Sequence, residues 1–406
     1  MHNQNFRQCR LGSGSFPEKT AERSEELRGE RARGSCSSFR KRVVLHVNQI
    51  AGRPLRSHAS AMKALTRFRS TSLSLLLYVA TLGLLDSGRL EAAAAGQTQK
   101  VVGAAKAFLD TLDDTQRGKV SFAFDDAAQR VRWSNLPVSM AEHRGLRLGD
   151  LKANQRAAAM NLLATVLSKM GYEKVVGIVE SDEVLRKQAA SGAPAFGRDE
   201  YFISFMGKPS ITEPWMIQFG GHHLALNITI AGEQGVLTPS LIAVQPAKFT
   251  LDGKTVRPMG RETDKALELV KALTDEQRKQ AILGSQMRDL VLGPGHDGET
   301  IQPEGLKLST LNEGQRQLLL ELVAEWSGII HDTAAAEKLN EIKANLADTW
   351  FAWSGPLEAG KAYFRIQGPT VIIEYAPQKL GGDVTMHLHS MYRDPTNDYG
   401  KKFAGK

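Results

Sequence analysis

The sequence predicts an α+β fold of two similar halves related by pseudo-two-fold symmetry, each half a helix pair followed by antiparallel strands. Three observations support this prediction. A short helical motif occurs four times, strand-like runs follow the helices in each half, and each half places a histidine pair near a strand end. Self-similarity at a nearly constant offset is the mark of an internally duplicated architecture.

The motif Leu-x-x-x-Gln-Arg gives the clearest sign of duplication. It begins at positions 112, 151, 273 and 311, so two short intervals flank a long one. Three copies place Asp, Thr or Asn three residues before the Gln, which is the capping box that begins many helices. Lys152 breaks this pattern in the second copy. We therefore expect the motif to begin helices rather than to take part in chemistry.

Apolar periodicity predicts the elements of each half. The expected helices are 101–112, 155–170, 263–273 and 315–327, and the expected strands are 201–206, 215–219, 223–230, 363–366, 370–375 and 384–389. The first half covers about 98–235 and the second about 259–403. The intervening residues 236–258 are expected to form an added hairpin that turns at Asp252-Gly253.

Two further landmarks are expected to be equivalent between the halves. Tyr201-Phe202 matches Tyr363-Phe364, and His222-His223 matches the pair His387 and His389, at offsets of about 162 to 165 residues. The expected domain is therefore a single duplicated unit over residues 96–406.

Charge and cysteine content exclude several classes of protein. Residues 1–95 hold 16 Lys and Arg against 7 Asp and Glu, so the net charge of +8 originates there and the remainder is nearly neutral. A neutral domain is not expected to bind nucleic acid. Cys9 and Cys36 both lie in this segment, which excludes a disulfide or a thiolate site from the domain.

Residues 62–95 have the pattern of a signal peptide. Basic residues precede an apolar run at 73–85, and small residues follow up to a cleavage site near Ala95. The uncharged stretch is 16 residues long, which is shorter than the roughly 20 residues of a spanning helix. We therefore expect no stable membrane span after cleavage. The alternative is that the segment is retained as an anchor. Residues 1–61 are expected to be a disordered or spurious leader. The mature domain is predicted to be periplasmic or secreted.

The two histidine pairs are the candidate metal ligands. His387 and His389 alternate with Leu388, so in a strand both imidazoles face one side. His222 and His223 follow two glycines, which permit a turn or bulge that brings both inward. Four imidazoles meeting near a two-fold axis would hold a transition metal, zinc or copper first and iron as a further candidate. The alternative is that the imidazoles are polar residues on a solvated face or packed in the core.

Three further residues are candidate catalytic groups. Glu374, the expected counterpart of Gln218, lies on an apolar strand and would serve as a base or a further ligand. Its alternative role is a buried ion pair with Arg365 or Arg393. Arg393 would position an anionic substrate group, and Asp394 would orient an imidazole. Ordinary turn formation is the alternative for this segment.

Other signals are weaker. His296 lies in a glycine-rich loop and is expected to be in a solvated turn, while His143 and His331 are expected to be structural. The sequence contains no Gly-x-Ser-x-Gly, no phosphate-binding glycine loop and no His-Glu-x-x-His. The strongest sequence arguments for the common hydrolases, nucleotide-binding proteins and metalloproteases are therefore missing.

Four segments of the sequence are distinctive: GGHHLALN (220–227), FAWSGP (351–356), YFRIQGP (363–369) and HLHSMYRDPTNDYG (387–400). They resemble an exported, mainly bacterial family, the domain of unknown function number 3500. The resemblance covers roughly residues 100–403. It implies a single exported domain and carries over no activity.

Together these patterns favour an exported metal-dependent enzyme, a hydrolase in preference to an oxidoreductase, acting on a small-molecule or anionic substrate. The alternative from another class is a non-catalytic periplasmic or secreted protein that binds a metal or a ligand. A third possibility is a structural module whose histidines are merely packed. The sequence does not define the oligomeric state.

Overall fold

The computed structural model describes residues 96–403. The expected leader and signal peptide lie outside this range, so the export prediction is not addressed by the fold. Within the described range, every helix is too short or too polar to cross a bilayer. This part of the chain is a mixed α+β structure with a large, mostly antiparallel sheet, as the sequence predicts.

The elements extend over nearly the whole described range. The helices are α1 (96–110), α2 (Asp114–Val120), α3 (Ala127–Arg130), α4 (Ala153–Val166), α5 (Lys169–Gln188), α6 (Gly260–Ala272), α7 (Asp275–Ala281), α8 (Glu313–Ser327) and α9 (Asp332–Ala344). The strands of the first part are β1 (Ser121–Phe122), β2 (Leu146–Arg147), β3 (Phe202–Met206), β4 (Trp215–Gly221), β5 (Leu224–Ala231), β6 (Gln234–Val244), β7 (Phe249–Leu251) and β8 (Lys254–Val256). The remaining strands are β9 (Ile282–Gly284), β10 (Leu306–Lys307), β11 (Trp350–Ser354), β12 (Tyr363–Gly368), β13 (Val371–Pro377) and β14 (Leu388–Arg393).

Twelve strands form one sheet with β6 and β14 at its centre. These two strands pair antiparallel, with Met391 opposite Leu241. On one side the order continues through β5, β4 and β3, and on the other through β13, β12 and β11. Beyond these, β3 and β11 each pair with two more short strands. The antiparallel partners are β2 for β3 and β10 for β11, and the parallel partners are β1 for β3 and β9 for β11. The pairing pattern is thus the same from either edge.

The strand neighbours correct the expected equivalence of Tyr201-Phe202 with Tyr363-Phe364. The first pair enters β3, whereas the second begins β12. The strand with the same neighbours as β3 is β11, not β12. The Tyr-Phe match is therefore wrong, because two aromatic residues at a strand start are a local pattern that does not define a place in a sheet.

The expected hairpin insert is also too long. Its first part, 236–244, lies within β6 and pairs with both β5 and β14. Only β7 and β8 form a separate hairpin, which turns at Asp252-Gly253 as expected. Asp252 and Gly253 both have positive φ, the conformation that a tight two-residue turn requires.

The repeated Leu-x-x-x-Gln-Arg motif begins helices, as the sequence predicts. Complete capping boxes form at Asp113, Thr274 and Asn312. At Lys152, whose ammonium cannot accept a hydrogen bond, only the reverse bond from the backbone N–H to Gln155 remains. The motif glutamines also bond in pairs, with Gln155 Nε2 donating to Gln116 Oε1 at 2.7 Å and Gln315 Nε2 to Gln277 Oε1 at 2.8 Å. Each pair joins the starts of two helices.

The two faces of the sheet have different coverings. On β4, Trp215, Ile217 and Phe219 join the main apolar core together with residues of the helices. The alternate face is covered by loops, since Ala225 and Met391 pack there against Trp133 and Leu290. Successive residues of a strand face opposite sides. The strand residues that alternate with the core residues therefore face the loops. The candidate site lies on this loop-covered face.

Candidate metal centre

His222 and His223 form the two-residue turn between β4 and β5. Gly221 pairs with Leu224, which leaves the two histidines as the connection. His223 has φ of 65°, a left-handed conformation that Gly or Asn usually occupies in such turns. A Cβ on Gly221 would lie 2.5 Å from the carbonyl oxygen of Glu200, so this position requires glycine. A histidine held in an uncommon backbone conformation points to a function for its side chain.

His387 and His389 lie at the start of β14. His387 ends a short 3₁₀ turn in an extended conformation, and His389 follows one residue into the strand. The intervening Leu388 joins the helix-covered core. Both imidazoles therefore face the loop-covered side, which confirms that the His-x-His spacing places them together.

Three imidazoles converge although they come from distant parts of the chain. His387 Nε2 lies 2.9 Å from His389 Nε2 and 3.1 Å from His223 Nε2. The ligating nitrogens of all three lie within 4.8 Å of one another, and all three residues are buried. Nitrogen ligands at about 2.0–2.1 Å from a tetrahedral zinc ion lie about 3.3 Å apart, close to the observed separations. These three residues could hold one metal ion.

The second nitrogen of His387 fixes the form of its ring. Its Nδ1 lies 2.7 Å from the carbonyl oxygen of Leu380. A carbonyl oxygen only accepts, so Nδ1 carries the proton and donates. In the neutral ring, Nε2 then has a single lone pair that faces His223 and His389. Backbone carbonyls commonly orient metal-ligating histidines in this way.

Burial keeps the three imidazoles neutral. Desolvation, with smaller contributions from the neighbouring histidines, lowers the pKa of His223 well below its usual value and that of His389 to about 3. The pKa of His387 is also lowered, mainly by desolvation. Neutral imidazole is the form that ligates metals, so the cluster is ready to bind a cation at neutral pH.

His222 does not join the three converging nitrogens, contrary to the four-histidine expectation. Its Nδ1 lies 2.6 Å from Oδ1 of the buried Asp182, and its ring stacks on His223 with 3.6 Å between centroids. The ring of Phe196 also packs against it, with 4.9 Å between ring centroids. His222 therefore supports the ring of His223. Asp182 was not predicted as a partner, because it lies on α5, 40 residues away in the chain.

Glu374 does not lie at the histidines. Its carboxylate accepts the backbone N–H groups of Val291 and Leu292 at 2.9 and 2.7 Å, and the hydroxyl of Tyr363 at 2.7 Å. It is fully buried on the loop-covered face. The expected roles were a catalytic base or metal ligand, with a buried ion pair as the alternative. The structure shows neither, because this carboxylate anchors the loop between β9 and β10.

Arg393 and Asp394 are likewise engaged elsewhere. Arg393 donates to the carbonyl oxygens of Leu292 and Gly293 and forms ion pairs with Asp297 and Asp398. Asp394 pairs with Lys338 and accepts from Thr396 within its own turn. The expected roles of substrate clamp and imidazole partner are therefore not supported. Arg393 holds the same loop as Glu374, and Asp394 stabilises the end of β14.

The imidazoles open into a cleft of about 680 Å³. Its walls come from the segment after α3, the segment after α5, the β9–β10 loop and the residues preceding β14. Asn135, Phe196, Leu290 and Leu380 represent these four segments. Pockets of 300–1,000 Å³ are usual for small-molecule ligands.

Two titratable residues of the cleft, Asp289 and His296, were not placed there by the sequence patterns. His296 Nδ1 lies 2.9 Å from Glu299 Oε2 in the exposed turn that was expected, and His296 also lines the cleft. Asp289 lines the cleft as well and accepts a hydrogen bond from Gln378 at 2.8 Å. The only available signal was that both belong to the glycine-rich β9–β10 connection, whose placement depends on the distant residues Glu374 and Arg393.

Comparison with known proteins defines the family. The chain matches the family described as "Protein of unknown function (DUF3500)" over residues 94–401, which is most of its length, and it belongs to that family. No curated protein and no solved structure matches it.

Proposed function

We propose that the protein is a metal-dependent hydrolase in which His223, His387 and His389 coordinate a single zinc ion at the inner end of the cleft. One observation carries this proposal. The Nε2 atoms of three neutral imidazoles lie together, and Nε2 of His387 is unprotonated because the ring proton is on Nδ1.

Hydrogen bonding alone is a poor account of this cluster. The single lone pair of His387 Nε2 faces two other nitrogens at 2.9 and 3.1 Å, but it can fully accept only one hydrogen bond. A shared cation would instead engage the lone pairs of all three rings. Three histidines with an open fourth position are typical of catalytic zinc, whereas structural zinc has four protein ligands.

The chemistry follows from this ligand set and the adjoining cleft. Held by these three imidazoles, a zinc ion would supply a water whose pKa is strongly lowered, toward about 7, and which could serve as a nucleophile at neutral pH. The carbonyl of Leu380 and the ring of His222 would keep the imidazoles oriented. Copper would also accept three imidazoles, and it would imply oxidation instead of hydrolysis.

Metal analysis of the purified full chain tests the proposal. We expect about one zinc per chain, hydrolysis that is lost on chelation and restored by zinc, and loss of both properties in the triple variant His223→Ala, His387→Ala, His389→Ala. The matched control is His143→Ala, which removes a part-buried histidine whose ring stacks on Phe202. A wild-type chain that binds no transition metal would overturn the proposal.

A non-catalytic metal- or ligand-binding protein is the second candidate. The observation in its favour is that the metal-ligand group found among the described residues contains three histidines and no carboxylate. A hydrolase usually places a general base beside its metal-bound water. Stoichiometric metal binding without turnover of any ester, amide or phosphoester would favour this function over the first.

Export and duplication complete the proposal. We infer that residues 62–95 direct export to the periplasm or the medium, which N-terminal sequencing of the mature protein would test. We also infer that the two flanks of the sheet arose by duplication, supported by the strand order that repeats from either edge. In that arrangement the β4–β5 turn corresponds to the β12–β13 turn, so His222-His223 corresponds to Pro369-Thr370 and not, as expected from the sequence, to His387 and His389 at the start of β14. Profiles of the halves that fail to align in this register would contradict the duplication.

A further inference from the structure

The geometry points to an uncharged substrate that has a carbonyl-type oxygen at one end and an apolar chain or ring at the other. The oxygen would reach the imidazoles, and the apolar part would fill the outer cleft. This inference deepens the proposed function and rests on it. It favours an uncharged small molecule over an anionic substrate, the two classes that the sequence left open.

Apolar side chains are exposed at the mouth of the cleft. Leu136, Met140 and Leu380 are 41%, 62% and 79% exposed, and all three line it. They belong to a group of seven exposed large apolar residues in the described part of the chain. Exposed apolar groups that gather around one concavity mark a binding site, whereas scattered ones need no explanation.

The cleft becomes more buried toward the histidines. His223 and His387 are only 3% and 5% exposed, in contrast to the residues of the mouth. Leu290 and Phe196 line the cleft as well. A ligand with a polar end and an apolar body would place its polar end at the imidazoles and cover the apolar residues with its body.

The side chains of the cleft provide no basic group for an anionic ligand, so the only fixed positive charge there would be that of a zinc ion at the inner end. No lysine or arginine lines this cleft, and its single carboxylate, Asp289, would repel an anion. Arg393, the expected anion clamp, does not line the cleft and donates to the carbonyl oxygens of Leu292 and Gly293. Specific recognition of carboxylates or phosphates normally uses basic side chains.

Displacement of the neutral dye Nile red from the full chain tests the inference. The competitors are 2-alkanones of six to ten carbons and the carboxylates of the same length, which differ in charge. We expect the ketones to bind more tightly than the matched carboxylates in metal-free protein, with a gain of up to about fourfold for each added methylene. Equal or tighter binding of the carboxylates, or no dependence on chain length, would overturn the inference.

Variants locate the binding. Met140→Lys and Leu380→Lys change exposed residues, so the fold is preserved, and each should weaken the ten-carbon ketone by about tenfold. Ile211→Lys is the matched control, because Ile211 is 53% exposed and does not line the cleft. Equal effects of all three changes would place the ketone outside the cleft and overturn the inference. Because this comparison uses metal-free protein, it is independent of metal content, which tests the proposed function separately.

Discussion

His222 and His223 are adjacent in one turn, with stacked rings whose centroids lie 3.6 Å apart, yet only His223 contributes to the converging nitrogens. His222 instead bonds to Asp182. The difference follows from the positive φ of His223, which directs two neighbouring side chains into different surroundings.

This asymmetry predicts different effects of the same substitution. His223→Phe should abolish stoichiometric metal binding, since two imidazoles remain. His222→Phe keeps the three ligands and the stacking, and should lower metal affinity by about 10- to 100-fold, as loss of a supporting residue does. Competitive titration with a chelating indicator measures both affinities. Equal loss in the two variants would mean that His222 is itself a ligand.

Glu374→Gln should leave metal stoichiometry unchanged and loosen the β9–β10 loop. The amide keeps one acceptor oxygen, so one of the N–H groups of Val291 and Leu292 loses its partner. We expect a loss of about 1–3 kcal/mol in the free energy of unfolding and faster hydrogen exchange at these two amides. Loss of the bound metal with unchanged hydrogen exchange at these amides would instead indicate that Glu374 is a metal ligand.

Gly221→Ala should disturb the turn that carries the histidines. Its Cβ would meet the carbonyl oxygen of Glu200 at 2.5 Å, so the backbone must shift. Such overpacking typically costs about 1–3 kcal/mol, and metal affinity should fall with stability. Gly284→Ala is the matched control, since its Cβ would meet nothing within 4 Å. Thermal unfolding and metal titration of both variants check this prediction. Unchanged stability and metal affinity in Gly221→Ala would contradict the close approach to the carbonyl oxygen of Glu200.

His331 gives a pH dependence away from the cluster of His223, His387 and His389. Burial lowers its pKa, and its Nδ1 caps α9 by accepting from the N–H of Ala334, which requires the unprotonated ring. Below about pH 6.5 the unfolded chain binds this proton more readily than the folded chain. The stabilisation is therefore complete above that pH and is lost as the pH falls below it.

His331→Asn keeps a capping acceptor that does not titrate. Denaturant unfolding between about pH 8 and pH 5 should show the wild type losing more stability than the variant, by at most about 1.4 kcal/mol per pH unit. Parallel pH profiles for the two proteins would exclude this role for His331.

Local patterns predicted the local features correctly. The capping boxes at Asp113, Thr274 and Asn312 and the shared side of His387 and His389 follow from spacing along one helix start or one strand. These inferences need no knowledge of distant contacts.

Features that depend on distant contacts were not predictable. Glu374 looked like a catalytic carboxylate because its partners, two loop N–H groups, lie 82 and 83 residues away in the chain. Arg393 looked like an anion clamp for a similar reason, since its carbonyl partners lie about 100 residues away. The Tyr-Phe match failed because sequence similarity cannot distinguish two strands of the same sheet.

X-ray absorption at the zinc edge of the purified full chain tests the central claim most directly. We expect three imidazole nitrogens at about 2.0–2.1 Å from the metal, with one further light ligand, and loss of the imidazole signature in the triple variant lacking His223, His387 and His389. A zinc ion surrounded only by oxygen, or an unchanged spectrum in that variant, would show that the three converging imidazoles are not a metal site.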